Sequence, residues 1–385
     1  MRQADVIIIG GGLAGSTAAA MLGRAGIAVA PIDPHKIYPP DFRCEKLGGK
    51  QIETIRKTGL YDAVRRASTL DGHVWTARLG RLLDNKPSDQ HGILYDDLVN
   101  AIRREIPSNV KFIETKVTAV ATSSDLQTVT LADGETISAR LIVLANGLNI
   151  GLRHTLGIER TVVSACHSIT VGFNVEPVGR ARLPFPALTY FAENSASRMA
   201  YLTLFPVQET MRANLMVYRD MNDPWLQRMR HTPEAALREI MPNLHKLTGD
   251  IEIEGMIKIR PADLYVTSGH RQAGIVLVGD AFCTSCPAAG TGTSKVFTDV
   301  ERLCNVYIPN WLTSPGMDVD KISKFYDDPE KCESDEFSAR EAYALRAMSI
   351  DNGLSWHARR LARFGARLAI GKMRALTETM AAKSA

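Results

Sequence analysis

The stretch VLVGDAFCTSCPAAGTGTSKVFTDVERL, Val276 to Leu303, decides how this chain folds once it is set beside DVIIIGGGLAGSTAAAML, Asp5 to Leu22. The early stretch runs from a β-branched apolar segment through Gly10, Gly12 and Gly15, spaced G-x-G-x-x-G, into a helical run. That order suits a pyrophosphate: the first glycine turns the chain, the second lets backbone approach the phosphates, and the third lets helix pack on strand. Leu13 and Ala14 sit between the last two glycines, where the helix N-terminus offers unpaired N–H groups and the positive end of a dipole. Asp33, followed by Pro34, ends the next apolar run, IAVAPID. A carboxylate there accepts hydrogen bonds from an adenosine ribose and repels a 2′-phosphate, so the cradle suits FAD or NAD rather than NADP.

At 385 residues the chain exceeds one ordinary core, and two lobes are expected. Its 45% apolar and 23% charged residues are those of a soluble globular protein. Val6 to Gly23 carry no charge, yet their glycines and the absence of a basic flank or cleavage site favour strand and turn over a signal peptide or membrane span. The reading is a mature cytosolic N-terminus. Six cysteines without a secretory signal are expected to be reduced, with Cys283 and Cys286 as packing residues rather than a dithiol. The nine histidines and six cysteines show no metal-ligand spacing. A net charge of +4 does not suggest a nucleic-acid binder, although Trp356 to Ala385 hold seven Arg/Lys against one Glu.

The expected fold class is α/β: a Rossmann-type nucleotide lobe with a βαβ unit and parallel sheet, an inserted antiparallel-sheet substrate lobe, and a C-terminal helical tail. The nucleotide lobe is expected in three pieces, 1–70, 71–160 and 269–308, the second with a small antiparallel addition turning at Asp133-Gly134. Residues 161–268 alternate with period two in SITVGFNVE, RMAYLTLFPV, RANLMVYRD and IEIEGMIKI, with a helix near Pro233 to Met241, and form the substrate lobe. IPNWLTSPG reads as a linker and 317–385 as helices.

In the late stretch Gly279-Asp280 follow a buried strand, and Pro287, Gly290, Thr291 and Gly292 open a helix. Both glycine motifs together resemble those of the group A flavoprotein monooxygenases, the p-hydroxybenzoate hydroxylase-like fold. The resemblance implies FAD, with Asp280 on the ribityl hydroxyls, Pro287 beside the reactive edge of the flavin, and Gly290 to Gly292 aiming N–H groups at its pyrimidine edge. It also implies Arg43, in FRCEKLGG, near the pyrophosphate and Val117 beside the adenine. The family's middle motif of Asp-Gly, Ser and Arg reads here, after Ala145, as Asn146-Gly147, Ile150 and Arg153, without the acid or the serine. Phe282-Cys283 replace the usual Ala/His pair. No second glycine fingerprint is present, so a dedicated nicotinamide domain is not expected.

Met199 to Val207, MAYLTLFPV, is similar to a segment flanking the substrate cavity of geranylgeranyl reductases. Tyr190, Tyr201, Phe205 and Tyr218 are the candidates for an apolar pocket facing the flavin near Pro287, the other reading being ordinary sheet-core aromatics. His167 reads as a structural histidine, and the absence of a Trp-x-Trp pair disfavours a halogenase. In WHARRLARFGARLAIGKMRAL, Arg359, Arg360, Arg363, Arg367 and Arg374 share one helical side, and Leu361, Phe364, Leu368, Leu376 and Met380 the other. Such a helix lies on anionic lipid, or docks on its own protein with a solvated basic face. The resemblance implies a cytoplasmic FAD-dependent oxidoreductase that uses NAD(P)H and O2 to hydroxylate a small hydrophobic aromatic or quinone-like substrate. Two alternatives stand beside it: a flavin-dependent reductase of an isoprenoid double bond, and a non-catalytic flavin-binding partner protein.

Overall fold

The computed structural model describes residues 2–384. The strand Arg2–Ile9 pairs in parallel with Val29–Asp33 on one side and Thr136–Leu144 on the other. Ile275–Leu277 adds in parallel to the end of Thr136–Leu144, while Gln127–Leu131 and Val117–Ala121 complete an antiparallel flap on its first half. The ends of these central strands, residues 6–9, 141–144 and 275–277, are apolar throughout because both faces are covered. Val6, Ile8, Leu141, Val143 and Val276 face the helix Leu13–Arg24, whereas Ile7, Ile9, Ile142, Leu144 and Ile275 face the flap side. Three loops, at Gly10, Asn146 and Gly279, leave the carboxyl ends of neighbouring parallel strands, which is where open α/β sheets bind ligands.

The second sheet has eight strands in the order Ile251–Ser268, Glu159–Pro177, Thr210–Val217, Met199–Val207, Ala187–Phe191, Thr69–Arg78, Arg81–Gly92 and Lys46–Leu47. Residues 46–47 and 69–92 therefore belong to this sheet and not to the nucleotide lobe in which 1–70 and 71–160 were expected. The hairpin turns at Leu79-Gly80, both at positive φ, which matches the twist of two-residue hairpins. Its second strand, RLLDNKPSDQHG, is so polar because it is largely exposed.

One face of this sheet, built from Ile169, Val171, Leu202, Leu204 and Leu215, buries against two helices, Pro224–His231 and Pro233–Ile240. The first of these was not anticipated. Strand alternation sends Thr170, Thr189, Tyr201, Thr203, Asn214 and Met216 to the other face.

The expected linker is partly helical: the helix Gly292–Arg302 passes through a wide π-type turn, Leu303–Tyr307, into Ile308–Leu312. Pro309, which has no backbone N–H to donate, follows just beyond the wide turn, and Trp311 is buried in the core. Helices Val319–Tyr326, Pro329–Ile350 and Leu354–Ser384 follow. Among the described residues no helix is long and apolar enough to cross a membrane.

The last helix is docked with four arginines of its basic side, Arg360, Arg363, Arg367 and Arg374, turned inward and Arg359 left exposed, largely the reverse of a solvated basic face. Arg360 donates to the carbonyls of Met348 and Asp351, Arg363 and Arg367 lie over Phe191, and Arg374 meets Asp84 at 2.5 Å. Gly371 allows this close approach, since a Cβ there would lie 2.0 Å from the carbonyl of Leu83. Leu354, Leu361, Met373 and Leu376 are left facing outward, 64–90% exposed.

Candidate flavin and substrate site

Each glycine of the early motif has its own steric reason. Gly10 adopts φ +102°, and a Cβ on it would come within 2.5 Å of the Ala145 carbonyl; on Gly15 it would come within 1.8 Å of the Gly10 carbonyl. On Gly12 the nearest atom would be 3.9 Å away, leaving the helix N-terminus open to a ligand. Gly11 was not singled out, yet it is as constrained: a Cβ would strike Arg103 and Asp33. Asp33 accepts the Gly11 N–H at 2.7 Å and the His35 N–H at 2.9 Å. Arg103, also unforeseen, lies 3.5 Å from the Asp33 carboxylate, donates to Gly11 and Lys36 carbonyls, and stacks over Tyr38 and Phe112. It pins the phosphate loop against the acid. Pro34 is exposed beside Asp33, and Val117 opens the flap strand.

The late motif is fixed from below and from the side. The buried Asp299 carboxylate accepts the Gly279 N–H at 3.0 Å. It shares a buried quartet with Lys295, Lys331 and Asp335, in which Lys331 lies 3.0 Å from Asp299 and 2.8 Å from Asp335, and Lys295 lies 2.9 Å from Asp335. Burial alone would neutralise Lys295, but Asp299 and Asp335 hold its proton well above the ordinary lysine range. Two positive and two negative charges thus balance beneath the Gly279–Ala281 turn, where Lys331 also sits 4.1 Å from the Phe282 ring centre.

Arg153, the surviving member of the middle motif, is buried and donates to the Ala281 carbonyl at 2.9 Å. It ties the middle motif to the late one rather than facing out. Its Nε and the Asn146 Oδ1 are buried polar atoms without a partner beside Gly147.

A cavity of about 630 Å³ joins the two lobes. Leu13, Arg43, Asp280, Pro287, Gly290, Thr291 and Gly292 line it from the nucleotide lobe, and Thr170, Thr189, Tyr201, Thr203, Asn214 and Met216 from the sheet. Gly290, at φ +68°, has open space where a Cβ would stand, and a Cβ on Gly292 would meet only Ser285 at 3.5 Å; both line the cavity at the start of the helix Gly292–Arg302, where backbone N–H groups are unpaired. Tyr201 donates to the Ala288 carbonyl at 2.5 Å, clamping the Pro287 turn to the sheet. Gly10, Gly12, Ala14, Gly15, Asp33, Ala145 and Gly279 lie off this cavity, at or beside the strand ends next to it.

Three of the aromatic candidates lie elsewhere. Tyr190 alternates with cavity-facing Thr189 and points into the helical layer, donating to Glu193 at 2.6 Å. Phe205 packs with Val74, Ala187 and Val207 beyond the end of the cavity. Tyr218 lies past its strand, against His167 and Cys286. The wall facing the glycines is consequently rich in hydroxyl and amide groups rather than aromatic. His167 bonds Ser164 and the Ala342 carbonyl on its two ring nitrogens.

Charged residues missed in the sequence ring the cavity. Asp41 bridges Arg43 at 2.6 Å and Arg260 at 2.5 Å. Burial pushes its carboxyl up, but the two guanidiniums outweigh this and hold it below the usual range. Arg43 in turn reaches Asp280 at 2.7 Å. Buried Glu45 accepts a fork from Arg212 at 2.7 and 3.1 Å, and the Asn214 amide, oriented to suit its neighbours, adds a third bond at 3.0 Å. All six cysteines are free thiols, and among the described residues no group of His, Cys, Asp or Glu could hold a metal ion.

The match to a family model completes the picture. Residues 3–306 match the model described as FAD binding domain, so the chain belongs to that family and FAD is its cofactor. It is similar to the 6-hydroxynicotinate 3-monooxygenase of Bordetella bronchiseptica, 22% identical over 78% of this chain and 82% of that protein. It is also 24% identical, over 80% of each, to the 3-demethoxyubiquinol 3-hydroxylase of Escherichia coli. Its fold is that of the p-nitrophenol 4-monooxygenase PnpA from Pseudomonas putida, with a TM-score of 0.75 at 16% identity over 98% of both chains.

Proposed function

We propose that this protein is an FAD-dependent monooxygenase that uses NAD(P)H and O2 to hydroxylate an aromatic or quinone-like substrate. The observation that carries the reading is the single cavity shared by Pro287 and Gly290–Gly292 on one wall and Tyr201, Thr203 and Asn214 on the other. Bound there, FAD would supply the electron transfer and oxygen activation. The chain's own part is binding and placement. Gly10 to Gly15 and the following helix hold the pyrophosphate, and Asp33 and Arg103 fix that loop. Gly290 to Gly292 present N–H groups and a helix dipole to negative charge gathering at the pyrimidine edge. The threonine wall and Asn214 orient the substrate's polar groups while the two lobes exclude water. The named activities of the bacterial relatives, both aromatic or quinol hydroxylations, support this reading.

The test is anaerobic reduction by NADH and NADPH with and without phenols and aromatic acids, followed by reaction with 18O-labelled O2. Substrate-accelerated reduction and label in the product are expected. Substrate saturation without oxygen uptake would replace hydroxylation with double-bond reduction, and FAD that neither donor reduces would mark a non-catalytic flavin protein.

We further propose a cytoplasmic protein that touches a membrane through the outward row Leu354, Leu361, Met373 and Leu376, with Arg359 and Lys372 exposed among them to meet anionic headgroups. Co-sedimentation with phosphatidylglycerol vesicles, lost on Leu361→Gln/Leu376→Gln, checks it. Absence of vesicle binding, or dimerisation through this face, overturns it.

A further inference from the structure

We infer that the cavity carries a built subsite for one anionic oxygen group of the substrate, a carboxylate or phenolate, at Lys46. This rests on the flavin-and-substrate reading of the cavity and names what the substrate must present to it.

Lys46 occupies a two-residue strand paired to Gly92, and its side chain lines the cavity with the ammonium 5.6 Å from the Phe205 ring centre. Other charged residues at the cavity are already committed. Glu45 is held by Arg212 and Asn214, and Asp41 by Arg43 and Arg260. Among the described residues the Lys46 ammonium makes no hydrogen bond or ion pair. A charge enclosed in this way is costly unless something completes it.

Two further polar groups near it are also incomplete. The strand Arg81–Gly92 runs between those of Lys46 and Asp71, with His91 paired to Leu47 on one side and Leu70 on the other. The ladder is irregular between Leu70 and Gly72, and such irregularities re-aim side chains. Asp71 falls in that irregularity, is 4% exposed, and has no partner on either carboxylate oxygen. Gln90, opposite the same irregularity, lines the cavity with its amide oxygen buried and unpartnered. Native proteins rarely leave three such groups unmet in one place.

Asp71 acts on Lys46 through space rather than by contact. Burial draws the Lys46 proton off and outweighs the rest, and the neighbouring Lys86 adds to this; Asp71 opposes both without capping the ammonium. The cation is thereby left free to meet an oxygen arriving in the cavity. A hydrocarbon double bond gives it nothing, so the subsite favours an acid or phenol over a plain isoprenoid.

The test uses FAD-loaded protein titrated with benzoate against benzamide and with 4-cyanophenol against its methyl ether, read from the visible flavin spectrum. At least one ionisable probe is expected to bind about tenfold tighter than its neutral mate. Lys46→Met should erase that preference while leaving the neutral probe unchanged, and Lys46→Arg should keep part of it. Asp71→Asn should weaken it without touching FAD content, and serves if Lys46→Met fails to fold. Equal binding within both pairs, or a preference that survives Lys46→Met, overturns the subsite. Failure of the monooxygenase reading shows separately, as a preserved anion preference with no substrate-dependent NAD(P)H oxidation.

Discussion

The Arg43 guanidinium lies 2.7 Å from the Asp280 carboxylate, joining side chains 237 positions apart across the mouth of the cavity. Arg43 also reaches Asp41, so it holds the loop after the second strand and the late flavin motif at once. Arg43→Ala is expected to weaken FAD binding by about tenfold or more, read by flavin fluorescence on release. Arg43→Lys should recover only part, because one ammonium cannot serve two carboxylates in fork geometry.

Gly15→Ala is expected to yield protein without bound FAD, destabilised by about 3 kcal/mol or more, because its Cβ would overlap the Gly10 carbonyl at 1.8 Å. Gly290→Ala, with no neighbour within 4 Å but φ at +68°, should cost only about 1 kcal/mol. Thermal melts and flavin absorbance of the two variants compare them.

Lys331→Met breaks the buried quartet and leaves Asp299 and Asp335 sharing Lys295. A loss of about 3–5 kcal/mol in urea unfolding is expected. The double variant Lys331→Met/Asp335→Leu should cost less than the sum of its parts, since it removes one charge of each sign.

Asp71 sets a pH dependence with a definite sign. Burial raises its carboxyl from 3.8 to about 6, with Lys46 pulling the other way. The folded protein therefore binds more protons than the unfolded chain between those values, and stability falls as pH rises through this window. Above pH 6 the deficit is about 3 kcal/mol. Asp71→Asn should raise the melting temperature at pH 7.5 and leave it unchanged near pH 3.5; equal gains at both would sink this assignment.

Tyr190→Phe and Tyr201→Phe separate core from cavity. The first removes one of three hydrogen bonds that Glu193 accepts and takes the acceptor from the Gly80 N–H, and should lower stability by about 1–3 kcal/mol with kcat/KM unchanged. The second frees the Ala288 carbonyl beside Pro287 and should change substrate KM and the flavin spectrum more than the melting temperature.

What could be read from the chain was local. The strand, glycine turn and helix of residues 5–22 lie within one stretch, so spacing alone conveys their geometry. Among the aromatic candidates Tyr190 failed on parity: alternation says that Thr189 and Tyr190 point opposite ways, but not which of them faces the flavin. A run of threonines at 170, 189 and 203, one per strand on the same face, was the available signal. The hairpin 69–92 was hidden by the polarity of its exposed second strand, which the terminal helix partly covers. Arg103, Glu45 and Lys46 derive their roles from partners or walls far off in sequence, and no spacing announces that.

The family match stops at residue 306, yet Lys331 and Asp335 come from the helix beyond it and neutralise the charges on which the Gly279 turn rests. Recognition boundary and folding boundary are therefore different places in this polypeptide. A chain cut after residue 306 would leave Lys295 and Asp299 with only each other, at 3.5 Å, in place of the four-charge cluster, and the tail should melt together with the dinucleotide lobe in one cooperative step rather than peel away ahead of it.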